Sequence, residues 1–572
     1  MTRTAPHVAE ILDAALGDAT DEANIFGFHE GLVRDEAGEF PEAFRAEVAD
    51  RAGLHLGFLP RTVGGTGVPL DAMMLQVRVA ARRDLAVMPA AMFSITAATC
   101  VVLAGSVEQV RRVVALLDAG TPVAFALSEP AHGADVVSGQ CRAALDSEGE
   151  DPVRLDGEKW MVGLGHRAGA AYVVARTGER GPAAFSGFLL SADDLAAVRS
   201  HSEPIVCMGM RGIDFARYEF RGLEVPRDRL VGEAGRGLEV AMRALQVVRI
   251  VGSAANLACT DSALRLTHEY GRSREVAGKP LLDHPRPRRA FATAISAHLA
   301  ADVASVVAGR ALQVCPPSVS HWSGVVKRVV TDATDTVVRQ CGDLLGTWSV
   351  VREGVGALFD KVRRDAEVLR YVDTGPEATS RVLSGQIPAL LRNLENPSAG
   401  ARERVEAVHD LGAEPPDYDP TELRMASRGP DDVLSVFATD EAHLLRSVPD
   451  ELVPWIEELA RKVSELRLVA ITPGVDLVEV ADTFAALHGA ASAVHLWRLN
   501  QDRSLYGTEP GSTVWLRAVF THLFAIADRA WPRLADDLAE GIAASGRSLI
   551  DGGALLTMLP VRLAEAKTWS PV

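Results

Sequence analysis

The sequence predicts a mainly α-helical protein with a central β-domain: a helical part, a strand-rich part, a second helical part, and an added helical region. Three observations support this. Apolar residues recur at helical spacing on both sides of residues 123–231, where the period shortens to that of strands. The chain has 572 residues, too many for one compact core. Aromatic residues make up only 5% while aliphatic residues dominate, which suits a helical core.

Residues 1–122 read as an N-terminal helical domain. FPEAFRAEVADRAGL spaces its apolar residues as a helix does, and the Gly- and Pro-rich GFLPRTVGGTGVPL after it reads as a loop. SVEQVRRVVALLDAG opens on a capping box, Ser106 with Gln109, and closes on Gly120. Residues 123–231 form the β-domain: VAFAL, MVGL, AAYVVART, AAFSGFLL and ARYEFRGLEV are short, alternating or β-branched, and divided by Gly, Asp and Pro. Residues 232–390 return to long helical patterns of helical-bundle type. Residues 391–419 are rich in breakers and read as a linker, and 420–572 are amphipathic helices again.

A net charge of −17 argues against nucleic acid as a general partner, because phosphate backbones need a basic face. The six cysteines are scattered without metal-ligand spacing, so neither a metal site nor a disulfide framework is expected, and buried free thiols suit a cytoplasmic protein. The N-terminus lacks the pattern of a signal peptide. No run of eighteen apolar residues occurs, so no membrane span is expected. His488, His495 and His522 lie on apolar helical stretches and read as packed core histidines.

Six ordered segments then carry a family resemblance: GLHLGFLPRTVGGTGVPL, VAFALSEPAHGAD, LDGEKWMVGLGHRAGAAYVVART, MGMRGIDFARYEFRGLEVPRDRL, YGRSREVAGKPL and RRDAEVLRYVDTG. Together they resemble the acyl-CoA dehydrogenases over about residues 25–390, and the extra helices resemble the extension of long-chain-type members. The resemblance implies bound FAD and α,β-dehydrogenation of an acyl thioester carried on CoA or an acyl carrier protein. A carboxylate removes the α-proton and flavin N5 accepts the β-hydrogen as hydride. It implies an electron acceptor such as an electron-transfer flavoprotein or oxygen, and a homodimer.

Carried onto this chain, the resemblance puts Phe125, Leu127 and Ser128 along the flavin ring, Gly133 and Ala134 by the diphosphate, Trp160 and Val162 near N5, and Arg274 on a diphosphate, in this family usually of the neighbouring subunit. Gln340 falls on the adenine side, and Arg249 and Gln246 on the substrate side. Several positions depart from the family pattern. Val162 replaces a Thr, Ala134 a Ser, and Ala277 a Phe. Gln246 stands where an Asp is common. The catalytic Glu corresponds to Asp373 when counted without a gap from Arg364-Asp365-Ala366, and to Val372 when Tyr371 and Thr374 are matched instead. Val248 closes off the alternative base position on the preceding long helix, so Asp373 is the best-placed acid and Glu377 a distant second. A flavin-dependent oxygenase acting as an N-hydroxylase, and a scaffold with a vestigial flavin site, remain as alternatives.

Overall fold

The computed structural model describes residues 5–145, 152–199 and 202–565. Six helices open the chain: α1 (Ala5–Leu16), α2 (Phe28–Ala37), α3 (Glu42–Ala52), α4 (Leu70–Arg83), α5 (Val87–Ala104) and α6 (Val107–Asp118). The expected capping box starts α6, with Ser106 Oγ accepting the Gln109 amide and Gln109 Oε1 accepting the Ser106 amide.

The β-domain comprises β1 (Val123–Ala126), β2 (Arg142–Ala144), β3 (Val153–Gly163), β4 (Ala170–Arg176), β5 (Phe185–Ser191), helix α7 (Ala192–Arg199), β6 (Phe215–Val225) and β7 (Leu230–Val231). The strand order is β6-β3-β2-β4-β5-β7, with β1 pairing in parallel to β4. β4 is apolar on both faces because both faces are buried. Tyr172 and Val174 pack towards the flanking helices, whereas Ala171, Val173 and Ala175 enter the β-domain's own core. Helix α7 departs from the strand-only reading. It starts where Asp194 Oδ2 accepts both the amide and the hydroxyl of Ser191 at 2.7 Å, a local cap that the neighbouring strand pattern hides.

The second helical body holds α8 (Gly237–Ser273), a hairpin of β8 (Glu275–Val276) and β9 (Lys279–Pro280), then α9 (Pro285–Val314), α10 (Val319–Leu345), α11 (Gly354–Tyr371), α12 (Pro376–Ser384) and α13 (Ile387–Leu390). The breaker-rich linker contains a helix, α14 (Ala401–His409). It forms because Val405 and Val408 share a buried face, and because Arg310 of α9 donates to the carbonyls of Ala407, Val408 and Asp410 at its end. The added region supplies α15 (Asp432–Ser447), α16 (Val453–Ala470), α17 (Leu477–Leu499), α18 (Val514–Ala527) and α19 (Asp536–Asp551).

The added helices complete the core rather than hang from it: α17 packs on α10 and α12, and α18 and α19 pack on α9. By length and composition α9 and α17 could cross a bilayer, although neither holds eighteen apolar residues in a row. Yet 83% and 67% of their most apolar windows are buried against other helices, as core helices are. His488 and His495 are fully buried as expected, and His522 nearly so.

A buried charge network binds the end of the chain to its beginning. Arg78 of α4 pairs with Asp302 of α9 and donates to the Leu556 carbonyl at 3.1 Å. Asp302 also accepts the Met558 amide at 2.9 Å, and Asp261 of α8 accepts the Leu556 amide at 2.9 Å. Burial opposes the charge of Asp261, but Arg265 and Arg82 hold its carboxyl well below the usual range. Burial, followed by the charge of Arg78, lowers His298 to about 4. Arg83 closes the set on Asp13 of α1 at 2.8 Å. Removing one partner of such a pair strands the other charge. Asp302→Ala should therefore cost on the order of 3–5 kcal/mol in urea unfolding. Arg289→Ala, which breaks an exposed pair with Asp536, should cost under about 1 kcal/mol in the same measurement.

Candidate active site

The site is built around α11 and the residues that pin it. Midway along it, the ammonium of Lys361 lies 2.6 Å from Asp365, 3.4 Å from Asp84 and 3.9 Å from Asp35, and Arg364 reaches Asp35 at 2.7 Å. Burial works against the charge of Lys361, but the three carboxylates overcome it and raise its pKa. Asp365 also accepts the Met210 amide at 2.6 Å, which joins α11 to the loop that leads into β6. The Arg-Asp pair of the RDA motif is thus an anchor to α2, to the end of α4 and to the β-domain.

At its C-terminal end α11 leaves carbonyls without helical partners. Lys327 of α10 donates to the carbonyls of Leu369 and Val372, both at 3.0 Å. Burial lowers the Lys327 pKa to about 8, with Asp373 offsetting part of the shift.

Directly after this clamp the backbone of Asp373 turns left-handed at φ 71°, and the Thr374 amide donates to the Val372 carbonyl at 2.9 Å. That is the pattern of a γ-turn, a strained conformation that persists only where its surroundings enforce it. The enforcement comes from Arg249 of α8, which donates through Nε to Asp373 Oδ2 at 2.6 Å and through a terminal nitrogen to Thr374 Oγ1 at 2.8 Å. Asp373 Oδ1 is buried and has no hydrogen-bond partner among the described residues.

Asp373 borders a narrow cavity lined also by Met92, Val248, Asn256 and Thr331. The structure therefore brings Asp373, Arg249 and Val248 to one cavity. Val372 lines it as well, while Glu377 is exposed on the first turn of α12. Gln246 lies one turn before Arg249 on α8, buried, and donates to the Arg424 carbonyl at 2.8 Å.

On the facing side, Phe125 and Leu127 are half-buried at the seam between the β-domain and the helical core. Phe125 stacks on Tyr172 with ring centres 6.2 Å apart. The β3–β6 ladder shifts register between Lys159 and Val162, which takes Trp160 and Met161 out of the pairing as a bulge does. Met161 has φ 56°, and the Trp160 amide donates to the Ser128 carbonyl at 2.9 Å. The Val162 side chain is fully buried in the β-domain core. Gly133, at φ 49° with nothing near a would-be Cβ, and Ala134 lie on an exposed loop. Arg274 is exposed at the end of α8 beside the β8–β9 hairpin. Gln340 lies within α10, where Asp343 and Gly346, not Gln340, line a wide groove against α11.

Sequence reading missed the supports of the site. Lys159 donates to the Leu127 carbonyl at 2.9 Å and to Glu129 at 2.7 Å, and Glu129 accepts the amides of Gln140 and Cys141. Burial opposes the charge of Glu129, but these partners lower its pKa. Lys327 carried a readable signal: with Arg328 it interrupts the otherwise apolar GVVKRVV, where a long charged side chain is uncommon unless it is paired inside the fold.

With this geometry in place, the comparisons with known proteins agree. The family model "Acyl-CoA dehydrogenase, middle domain" matches residues 124–223, and "Acyl-CoA dehydrogenase, C-terminal domain" matches residues 235–384. These two stretches of the chain are similar to acyl-CoA dehydrogenase domains. Cyclohex-1-ene-1-carbonyl-CoA dehydrogenase of Syntrophus aciditrophicus is 30% identical over 256 residues, 43% of this chain and 59% of that protein. A probable acyl-CoA dehydrogenase, FadE10, of Mycobacterium tuberculosis is 28% identical over 261 residues, 45% of this chain and 39% of that protein. The matches thus span about two-fifths to three-fifths of those relatives. Among solved structures, an acyl-CoA dehydrogenase complexed with FAD from Bacillus anthracis superposes with TM-score 0.69 at 18% identity, covering 95% of this chain and 91% of that one. The prolyl acyl carrier protein oxidase AnaB gives TM-score 0.57 at 17% identity, covering 67% of this chain and 97% of that one. These two likenesses show the fold, and the first extends it over the added helices.

The Lys327 clamp has a pH signature. Its folded-state pKa lies below the ordinary lysine value of 10.5, so the unfolded chain holds this proton more tightly. The cost of burying the cation is complete below about pH 8 and is relieved as pH rises towards 10.5. Relative to the native chain, Lys327→Met should therefore destabilise less at about pH 7 than at about pH 9.5, as read by paired urea unfolding curves.

Proposed function

We propose that this chain is an FAD-dependent oxidoreductase that introduces an α,β double bond into an acyl thioester. The observation that carries the reading is Asp373: a carboxylate held by Arg249 in a strained turn, with one buried oxygen left unpartnered at a cavity. The residues along the seam fit a flat isoalloxazine ring. Half-buried Phe125, Leu127, Trp160 and Met161 offer apolar contact, and the bulge at Trp160–Met161 brings backbone rather than side chain to that edge. The open Gly133 loop would suit the diphosphate. Bound there, FAD supplies the acceptor for the β-hydrogen and its electron pair.

The chain's own residues account for the other half of the reaction. Asp373 Oδ1 takes the α-proton, and Arg249 keeps the carboxylate aimed at the cavity. An α-proton beside a thioester is a poor acid, so the carbonyl oxygen needs hydrogen-bond donors as charge moves onto it. The Thr374 amide follows the base in sequence, and its γ-turn bond to Val372 must open for it to serve that oxygen. The narrow cavity favours a short acyl group. CoA and an acyl carrier protein both fit as carriers, with an electron-transfer flavoprotein or oxygen as terminal acceptor. The exposed Arg274 and β8–β9 hairpin support a homodimer in which each subunit completes its partner's site. The buried free thiols support a cytoplasmic location.

Anaerobic titration of the FAD-loaded protein with short-chain thioesters of CoA and carrier protein tests this. One thioester should bleach the oxidised flavin, and Asp373→Asn should slow bleaching by about a hundredfold or more with flavin retained. A flavin that no thioester reduces would overturn the reading and favour the oxygenase or scaffold alternatives.

A further inference from the structure

Among the described residues every buried carboxylate faces a lysine or an arginine, as Asp302 faces Arg78 and Asp365 faces Lys361, with the exception of Asp431. Asp431 is fully buried and faces two buried histidines instead. Its Oδ2 accepts from Nδ1 of His488 on α17 at 2.8 Å, and Nε2 of His321 on α10 lies 2.9 Å from Asp431 Oδ2 as well. Its Oδ1 accepts the Leu434 amide at 2.8 Å and so caps α15. An ionised carboxylate this far from water needs a cation beside it.

The hydrogen bonds around the cluster narrow down that cation. His321 Nε2 is close to Asp431 Oδ2 yet outside hydrogen-bond geometry, and it has no other partner among the described residues. The other nitrogen of the ring, Nδ1, meets Ser427 Oγ at 2.7 Å, and Ser427 Oγ donates to the Ser318 carbonyl at 3.0 Å. With the hydroxyl proton on that carbonyl, Nδ1 carries the ring proton and donates it to Ser427. Nε2 then turns a lone pair towards a carboxylate, and the two repel unless a cation lies between them. Metal-bound histidines are held in the same way, with the other ring N–H given to an oxygen acceptor. The neighbouring His409 and His495 add no charge: burial lowers His495 to about 4 and His409 well below its ordinary value.

We propose that His321 Nε2, His488 Nδ1 and Asp431 Oδ2 bind a divalent transition-metal ion, zinc by the nitrogen and oxygen character of the set. Tetrahedral bonds of about 2.0–2.2 Å set ligand atoms about 3.3 Å apart, so the cluster opens by about half an ångström around the ion. The proton between His488 Nδ1 and Asp431 Oδ2 leaves as the ion enters. A water molecule takes the remaining position. None of the three side chains lines the acyl cavity and all are buried, which gives the ion a structural part. It joins α10, within the matched C-terminal domain, to the start of α15 and the middle of α17, and so fastens the added helices to the older core. Positions 321, 431 and 488 lie too far apart in the chain for ligand spacing to reveal the set. The assignment is independent of the flavin reaction.

Elemental analysis and cobalt titration test it on the full FAD-loaded chain, prepared without a histidine tag. About one zinc per chain should survive gel filtration. Cobalt(II) added after chelation should give a saturable visible band beyond the flavin absorption, which zinc then removes. His488→Gln should weaken cobalt binding about a hundredfold or more, and Ser427→Ala, which keeps all three ligands, by roughly ten- to a hundredfold. His522→Gln, a buried histidine outside the cluster, should leave the band unchanged. Chelation should lower the thermal midpoint of the native chain and not that of His488→Gln. A native chain that neither retains metal nor develops the cobalt band would overturn the assignment and leave an imidazolium at His321 as the partner of Asp431. A band unchanged in both His488→Gln and Ser427→Ala would overturn it too.

Discussion

Everything at the site hangs on how α11 is held. A helix end is a poor platform for a reactive carboxylate, because its last carbonyls lack partners and its last turn frays. Here its middle and its last turn are both tied by cations. Lys361 and Arg364 fix the middle to carboxylates of the N-terminal helices, and Lys327 fixes the tip through two carbonyls. With the last turn held in this way the next residue can be pressed into a γ-turn. Arg249 then closes the geometry by holding Asp373 and Thr374 at once. Each of these bonds is charge-assisted and poorly hydrated, the setting in which such bonds position side chains most firmly.

The same economy recurs across the seam. Lys159 and Glu129 form a buried pair whose remaining capacity is used on backbone: the Leu127 carbonyl and the amides of Gln140 and Cys141. The pair therefore sets the path of the chain through Leu127 and Ser128, and the Trp160 amide, bonded to Ser128, ties the bulge to the same frame. Two walls, one on α11 and one on the β-domain, are thus each fixed by a buried lysine, and of the two Lys327 also lines the cavity.

Much of this was legible in the sequence, for reasons that differ by element. The long helices and the strands β1, β4 and β6 follow their periodicity, and α6 follows its capping box, because local pattern and tertiary burial agree there. Helices α7 and α14 were hidden. The first is capped by its own Ser191 and Asp194 inside a strand-rich stretch, and the second depends on Arg310, about 100 residues away in sequence, which no local window contains. Asp373 was reached by counting from the RDA motif, but its conformation was not, since a positive φ at an Asp leaves no compositional trace. The value of Val162 as a site residue was likewise invisible: the bulge at Trp160–Met161 decides which side chains face the seam, and it sends Val162 into the β-domain core.

The added helices and the segment that leads to them also bear on the site. The stripe of α8 that carries Arg243, Gln246 and Arg249 ends, on the outside, where the joining segment lies, so the outer wall of the site is made by chain that lies beyond both matched family domains. That segment is held down by Ser427 against Gln386 and His321, and by Asp431, which caps α15 while bonding His488 of α17. A change in how α15 and α17 pack would therefore move Arg424 relative to Arg243 before it moved Asp373. Arg364 anchors the α11 wall to the N-terminal helices, whereas Asp431 and His488 anchor the joining segment to the C-terminal ones.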